Sequence, residues 1–373
     1  MHRHSAWVEV NINNLKHNFA EVRRTVGQSV KIMAVVKADA YGHGLVQTAR
    51  AFVDAGADYL GVTTLEEGLT LRDAGLSVPV LVFSPLLPDQ MEVAVRSELD
   101  QTLSDFRMAE FLSKICKSIQ KVGRVHVKVD TGMGRLGILP EECVGLLHDL
   151  LSLGAIHPVG VYTHFANSSA ADPSEAIEQN RRFSKMLDEL EVKGISTKLR
   201  HAANSGGILN MTNCRYDMVR PGTILYGQFP AKHMEGMLDL KSTWCLKTRI
   251  VALKKLPAGA KVGYGGDFVT SRPTLTAVIP VGYSDGLTLM PASIAQRAYH
   301  PMRVLGRRLL GSNGQNCVTV RGKRVPIIGR VSMQMTSIDV TDVPDVEIGD
   351  EVIISSRRTT TSSRIPRIYL ELD

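Results

Sequence analysis

The stretch "AVVKADAYGHG", residues 34 to 44, closes an apolar, β-branched run on a lysine and follows it with an acid, a tyrosine, two glycines and a histidine. Two readings compete for Lys37. A strand that stops at the surface turns its last cation into water, the usual fate of a charged side chain. A strand that stops at the mouth of a closed sheet holds the amine out of bulk water, where it sheds its proton more readily and serves as a nucleophile. The readings differ in what surrounds the strand, so the rest of the chain decides.

Runs of the same kind recur along the first 230 positions: "KIMAVVKADAY", "DYLGVTT", "VPVLVFSP", "LDQTLS", "RVHVKVD", "PVGVYTHF", "TKLRHAAN" and "DMVRPGTILYG". Between them lie segments with helical spacing, such as "GLVQTARAFVDAGA", "MAEFLSKICKSIQKVG", "EECVGLLHDLLSLG" and "SEAIEQNRRFSKMLDELEVKG", several of which close on glycine. Eight strand-helix alternations predict an α/β fold of (β/α)8 TIM-barrel type over residues 11–235. Beyond about 236 the helical spacing disappears. Short alternating segments with glycine and proline turns, "CLKTRIVALKKLPAG", "TLTAVIPVGY", "NCVTVRGKRVPIIG" and "DEVIIS", predict a C-terminal all-β domain over 236–373. The alternating "AWVEVNI" precedes a helix, and a strand over 6–12 is expected to join that β domain.

Functional groups of such barrels stand at the carboxyl ends of strands. Lys37 is there, with Lys128 and Asp130 in "KVDTGMGRLG" and Arg135 in the loop that follows. His164 ends the sixth strand, His201, Asn204 and Ser205 the seventh, and Arg220 with Gly222 the eighth. Polar groups on this many strands form a constellation. A lysine facing histidines, arginines and phosphate-type loops suggests a Schiff base to a phosphorylated aldehyde cofactor.

Composition narrows the class. The 373 residues carry 44% hydrophobic and 22% charged side chains, ordinary for a globular protein of one large and one smaller domain. No signal-peptide-like run and no span of membrane length is visible, so a cytoplasmic protein without membrane contact is expected. The five cysteines lie far apart with no metal-like grouping, so no metal is expected and the thiols read as small buried hydrophobes. The net charge of +7 sits in the last third: 19 Lys+Arg against 11 Asp+Glu from residue 236 onward is +8, while 25 against 26 before it is −1. Its short basic groups, "GRRL", "RGKR" and "SRR", lack interleaved aromatics and argue against a nucleic-acid groove. An anionic small ligand is the more economical partner.

The motifs "AVVKADAYGHG", "KVDTGMGRLG", "THFA", "HAANSGG", "VRPGTILYG", "VGYGGDF", "PVGYSDG" and "GRVSM" resemble, in order, those of bacterial alanine racemases, from about residue 6 to 354. The resemblance implies a pyridoxal 5'-phosphate (PLP) enzyme, a barrel plus a β domain, that works as a head-to-tail homodimer on a small amino acid. It makes Lys37 the Schiff-base lysine and one catalytic base. Tyr264 becomes the second base, reaching the other face of the substrate from the partner subunit, with His164 linking it to Arg220. Arg220 is implied at the cofactor's pyridine nitrogen, and because a guanidinium only donates, it disfavours a proton there. Tyr41, Ser205, Gly222 and Thr223 are implied phosphate ligands, with His201 and Asn204 beside the cofactor. Arg135 is implied at the cofactor's phenolic oxygen and the substrate carboxylate. Lys128 matches a lysine often carbamylated in that family, where the added anion orients the arginine; as an ordinary surface amine it would pair with Asp130 instead. Met333 is implied to offer its backbone N–H to the substrate carboxylate, and Tyr283 to narrow the entrance.

Two departures stand out. Where many members read Cys-Met-Asp-Gln, this chain has Ser332, Met333, Gln334 and Met335, so a carboxylate near the entrance is lost. The run "SSRRTTTSSRIPRIYLELD" lacks the usual Pro-Tyr-Glu segment, whose tyrosine helps hold the phosphate. A racemase of serine or a larger amino acid therefore stays open beside alanine. A non-catalytic PLP-binding protein would lack the β domain and Tyr264. A barrel-type decarboxylase would need a catalytic cysteine, and Cys245 and Cys317 stand in no such context.

Overall fold

The computed structural model describes residues 3–287, 317–356 and 358–371; the basic group "GRRL" at 306–309 and Arg357 of "SRR" lie outside them. The chain divides into two units, one of Ile12–Thr243 and one of Met1–Asn11 with Trp244–Glu371. The division thus falls beyond the change of pattern near 236. Strand β1 (Ala6–Asn11) belongs to the second unit.

The first unit holds eight parallel strands: β2 (Lys31–Val35), β3 (Tyr59–Val62), β4 (Val80–Val82), β5 (Asp100–Leu103), β6 (Gly123–Lys128), β7 (Ile156–Tyr162), β8 (Leu199–His201) and β9 (Met218–Val219). They run β8-β7-β6-β5-β4-β3-β2-β9, and the seam between the last-named strand and β8 is closed by backbone bonds from Asp217 N to Arg200 O (3.0 Å) and Arg220 N to Ala203 O (2.9 Å). Helices Leu45–Asp54, Phe106–Ser118, Pro140–Ser152 and Ser174–Val192 occupy the segments whose spacing is helical. Local chemistry starts several helices. Thr64 and Glu67 form a capping box on Leu65–Asp73, Asp105 accepts from Met108 N, and proline opens Pro88–Arg96 and Pro140–Ser152.

Because helices cover the outside and side chains fill the inside, barrel strands are buried on both faces. That explains the apolar run of β4. It also makes β5 unusual, since its Asp100, Gln101 and Thr102 are buried although polar. One feature of 34–44 was not legible as a pattern. After β2, Ala38, Asp39, Ala40 and Tyr41 all take left-handed backbone angles, with φ between 51° and 55°.

The second unit continues with β10 (Trp244–Arg249), β11 (Ala252–Leu256), β12 (Lys261–Val262), β13 (Phe268–Val269), β14 (Thr274–Ile279), β15 (Cys317–Val320), β16 (Lys323–Ile328), β17 (Thr336–Asp339), β18 (Glu351–Ile354) and β19 (Arg367–Leu370). Among the described residues, nine of its strands form one sheet in the order β11-β14-β17-β16-β15-β18-β10-β1-β19, and β12 pairs with β13 as a separate ribbon. Strand β1 is antiparallel to β10 and parallel to β19. Its Trp7, Val8 and Val10 are fully buried, Arg249 lies 5.4 Å over the Trp7 ring, and Lys247 reaches Glu9 at 2.9 Å.

Cys116, Cys143 and Cys214 are buried, Cys245 and Cys317 half-buried, and all five are free thiols. Among the described residues no helix is long and apolar enough to cross a membrane.

Candidate active site

A cavity of about 470 Å³ lies at the carboxyl ends of the barrel strands, and it gathers Lys37, Tyr41, Lys128, Arg135, His164, Asn204, Ser205, Arg220, Gly222 and Thr223. His201 lies beneath it, fully buried, under Arg220. Among the described residues, four basic side chains and no carboxylate line this space. An anionic ligand is what such a lining suits.

Lys37 is half-buried at the start of the left-handed turn. Burial, and next to it the Arg135 guanidinium, lower its pKa, against the pull of Glu67. The turn that presents it is strained, at roughly 1–2 kcal/mol per non-glycine residue in this conformation. Surrounding contacts over-determine it. Glu67 accepts from Ala38 N at 2.6 Å and from Thr63 N at 2.8 Å, Asp39 accepts from Leu45 N at 2.8 Å, and the Tyr41 ring stacks 4.6 Å from that of Tyr226. Burial pushes the Tyr41 phenol up to about 12, so it remains a neutral donor.

Asn204, Ser205 and Gly222 form a second wall. The Asn204 side chain caps helix Ser205–Asn210 by accepting from Gly207 N, and it takes a hydrogen bond from Ser168 Oγ at 2.7 Å. Ser205 Oγ accepts from Gly222 N at 2.9 Å. A Cβ at Gly222 would stand 2.5 Å from the Tyr41 hydroxyl, so any side chain there would displace the Tyr41 ring from this wall.

Arg220 is 3% exposed and donates to His201 Nδ1 (2.9 Å), Thr163 O (2.6 Å) and Ala202 O (3.1 Å), with His164 Nδ1 at 3.4 Å. Burial lowers its pKa only to about 10. It is a permanent cation at neutral pH. Burial first and Arg220 second hold His164 and His201 well below the ordinary imidazole range, so both rings are neutral.

Lys128 and Asp130 are not the surface pair that one reading allowed. Lys128 is 5% exposed, with its Nζ 4.7 Å over the Tyr162 ring. Asp130 is a loop clamp: its Oδ1 accepts from the backbone N–H of Gly132, Met133 and Gly134 at 2.8–3.1 Å and its Oδ2 from that of Arg135 at 3.2 Å. Burial, then the charges of Arg220 and Arg135, bring the Lys128 pKa from 10.5 down to about 7. Between those values the unfolded chain holds a proton that the folded protein has released, so stability rises with pH across that window. In carbon-dioxide-free buffer, urea unfolding of wild type relative to Lys128→Met should therefore improve by roughly 2 kcal/mol from about pH 7 to about pH 9. A difference that is flat with pH would place the neutral amine elsewhere.

Tyr264, Tyr283 and Met333 belong to the β unit. Tyr264 opens a short 3-10 turn between β12 and β13 and is 72% exposed. The Tyr283 turn and the Met333 loop are bonded together: Tyr283 N donates to Ser332 O (3.1 Å), and Ser284 donates to Met333 O from N (3.0 Å) and Oγ (2.7 Å). A Cβ on Gly282 would meet Ser332 O at 2.2 Å, which requires glycine there. Where the Pro-Tyr-Glu segment is absent, Ser356 and Ser362 brace this turn, through Ser362 N to Asp285 O (3.0 Å) and Ser356 Oγ to Gly286 O (3.3 Å).

Sequence reasoning passed over several residues at or below the cavity: Thr63, Phe83, Leu136, Tyr162 and Ser168 line it, and Asp100 and His126 lie deeper in the barrel. The first group carries no local signal. The second did, since a carboxylate and an imidazole inside strands are costly to bury without a partner.

Residues 10–230 match the model of the alanine racemase N-terminal domain, and 243–367 that of the C-terminal domain. The chain belongs to the alanine racemase family. Similar members include alanine racemase 2 of Caldanaerobacter subterraneus subsp. tengcongensis, 40% identical over 97% of this chain and 94% of the relative. The alanine racemase of Halothermothrix orenii is 41% identical over 95% and 88%. Among solved structures, the alanine racemase of Clostridium difficile 630 superposes with a TM-score of 0.91 at 28% identity, covering 100% of this chain and 97% of that one. The alanine racemase of Bacillus anthracis, solved with bound L-Ala-P, gives 0.86 at 29% identity, covering 100% and 96%. In alanine racemase terms, both units of this chain are accounted for.

Proposed function

We propose that the protein is a PLP-dependent alanine racemase that interconverts L- and D-alanine with two bases, Lys37 and Tyr264. The observation that carries this reading is the half-buried Lys37, its pKa lowered, in a cavity lined by four basic side chains and, among the described residues, no carboxylate. The cavity fits the cofactor on chemical grounds. Tyr41 hydroxyl, Ser205 and Thr223 side chains and the tight Gly222 backbone suit a phosphate, with His201 and Asn204 supporting the wall they form. When bound, PLP supplies an electron sink that makes the substrate's α-proton removable.

The chain's own groups then divide the work. Lys37 holds the cofactor covalently and, with its proton affinity lowered, takes or returns a proton on the D-face. Tyr264 serves the L-face, with His164 between it and Arg220. Because Arg220 only donates, a pyridine nitrogen held against it would be kept unprotonated and the sink would be weak, which would suit a reaction that only inverts a centre. Arg135 binds the substrate carboxylate, aided by Met333 N–H, with Tyr283 at the entrance. Lys128, with its pKa brought down to about 7 and so about half neutral at pH 7, is an amine in this wall able to take up carbon dioxide, and a carbamate there would orient Arg135.

A 72% exposed Tyr264, together with exposed Tyr283, Met333 and Met335, supports a homodimer in which the β unit of one copy completes the barrel site of another. We place the enzyme in the cytoplasm, where it supplies D-alanine for peptidoglycan. Mixing inactive Lys37→Ala and Tyr264→Phe chains should restore activity through heterodimers with one intact site. No recovery, with heterodimers shown to form, would put both bases on one chain.

The entrance changed at Ser332 and Gln334 leaves room for serine or another, larger amino acid as the preferred substrate. Following α-proton exchange of a panel of single amino acids in heavy water tests the whole reading. Fastest exchange with alanine supports it, fastest exchange with serine moves the specificity, and no exchange with any amino acid overturns it.

A further inference from the structure

The cavity occupies one mouth of the barrel, yet a line of hydrogen-bonded side chains runs from it to the other mouth. Arg220 Nη1 lies 2.9 Å from His201 Nδ1, and His201 Nε2 lies 2.9 Å from His126 Nδ1. His126 Nε2 lies 3.2 Å from Asp100 Oδ2, and Asp100 accepts from Arg124 Nε at 2.5 Å and Nη2 at 3.2 Å. Asp100, His126 and His201 are fully buried. They stand on β5, β6 and β8, and Arg220 follows β9. The Arg124 side chain is 40% exposed and lines a cleft of about 430 Å³ at the amino ends of the strands.

The two ends dictate where the protons sit. A guanidinium only donates, so His201 Nδ1 is a bare acceptor. A carboxylate only accepts, so His126 carries its proton on Nε2. With one proton on each ring, the remaining bond runs from His201 Nε2–H to His126 Nδ1. Both rings are then neutral and both point their protons away from the cavity. Any other placement sets two N–H groups or two lone pairs face to face without water. The Tyr162 ring, stacked 4.8 Å from His201 at 3° between planes, and the Tyr59 hydroxyl, 3.2 Å from Asp100 Oδ2, leave the row little room to turn.

Barrel interiors are usually filled by branched aliphatic layers, and burying ionic groups there is costly. We propose that Asp100 and His126 are positioning residues for the racemase reaction: they fix His201 as a neutral acceptor that holds Arg220, and hence the donor it presents to the cofactor's ring nitrogen, in place. The proposal rests on the racemase reading for its consequence but not for its geometry. Asp100 and His126 touch neither substrate nor cofactor. They act through His201 and Arg220.

The test begins with wild-type holoenzyme labelled with ¹⁵N-histidine. His126 and His201 should each show a bare Nδ1 and a protonated Nε2 at neutral pH. A charged ring, or a proton on either Nδ1, overturns the proposal. His126→Leu leaves the His201 donor unmet and should lower kcat about 10-fold, with the KM for alanine moving less than about twofold. It should also shift the ¹⁵N signal of a labelled cofactor's ring nitrogen. His126→Gln keeps an acceptor and a donor, and should recover most of the turnover and the shift. Full turnover in His126→Leu, or equal losses in both variants that track their loss of folding stability, overturns the positioning role. If wild type racemises no amino acid, the racemase reading fails, while the histidine nitrogens still decide the relay.

Discussion

Lys37→Ala loses at least ~10⁴-fold in alanine racemisation, because one substitution removes both the covalent anchor and a proton-transfer group. The residue meets the physical demands of both. Its amine ends β2 at the cavity, and burial together with Arg135 makes the neutral form easier to reach than for a surface lysine. Folding should survive the change, since a half-buried cation is exchanged for a methyl group at the edge of the cavity. Reduction of wild-type holoenzyme with borohydride followed by peptide mass spectrometry should locate the cofactor on Lys37, and the variant should carry none. Cofactor trapped at another residue of the cavity, Lys128 above all, would refute the assignment.

Tyr264→Phe gives the second largest effect, and an asymmetric one. Racemisation should fall by at least ~10²-fold, the scale for deleting a positioned acid or base. The variant should still bind cofactor through the barrel and exchange the α-proton of D-alanine through Lys37, while exchange of L-alanine drops far more. Incubating each enantiomer in heavy water and reading α-deuteration by NMR separates the two faces. A one-base mechanism predicts parallel losses. Equal losses would falsify the placement of Lys37 and Tyr264 on opposite faces even if the chain racemises alanine.

Much of this molecule is written in local pattern. Apolar runs alternating with helical spacing set out the barrel, and the change of style after 236 set off the β unit, because periodicity and caps act between near neighbours in sequence. Lys37, Lys128, His164 and Arg220 are found by the same logic, since a polar group ending a barrel strand arrives at one mouth whatever the neighbouring strands contain. Tertiary structure decided what depends on distant partners. The left-handed turn at Ala38–Tyr41 opposes local preference and stands because Glu67 and Tyr226, far along the chain, hold it. Asp130 is a loop clamp rather than the partner of Lys128, a choice made by four backbone N–H groups that exist only once the loop has folded. Asp100 and His126 look like misplaced charges within their own strands. They become a row with His201 and Arg220 only when the closed sheet brings them together, and burial then turns that proximity into a fixed arrangement of protons.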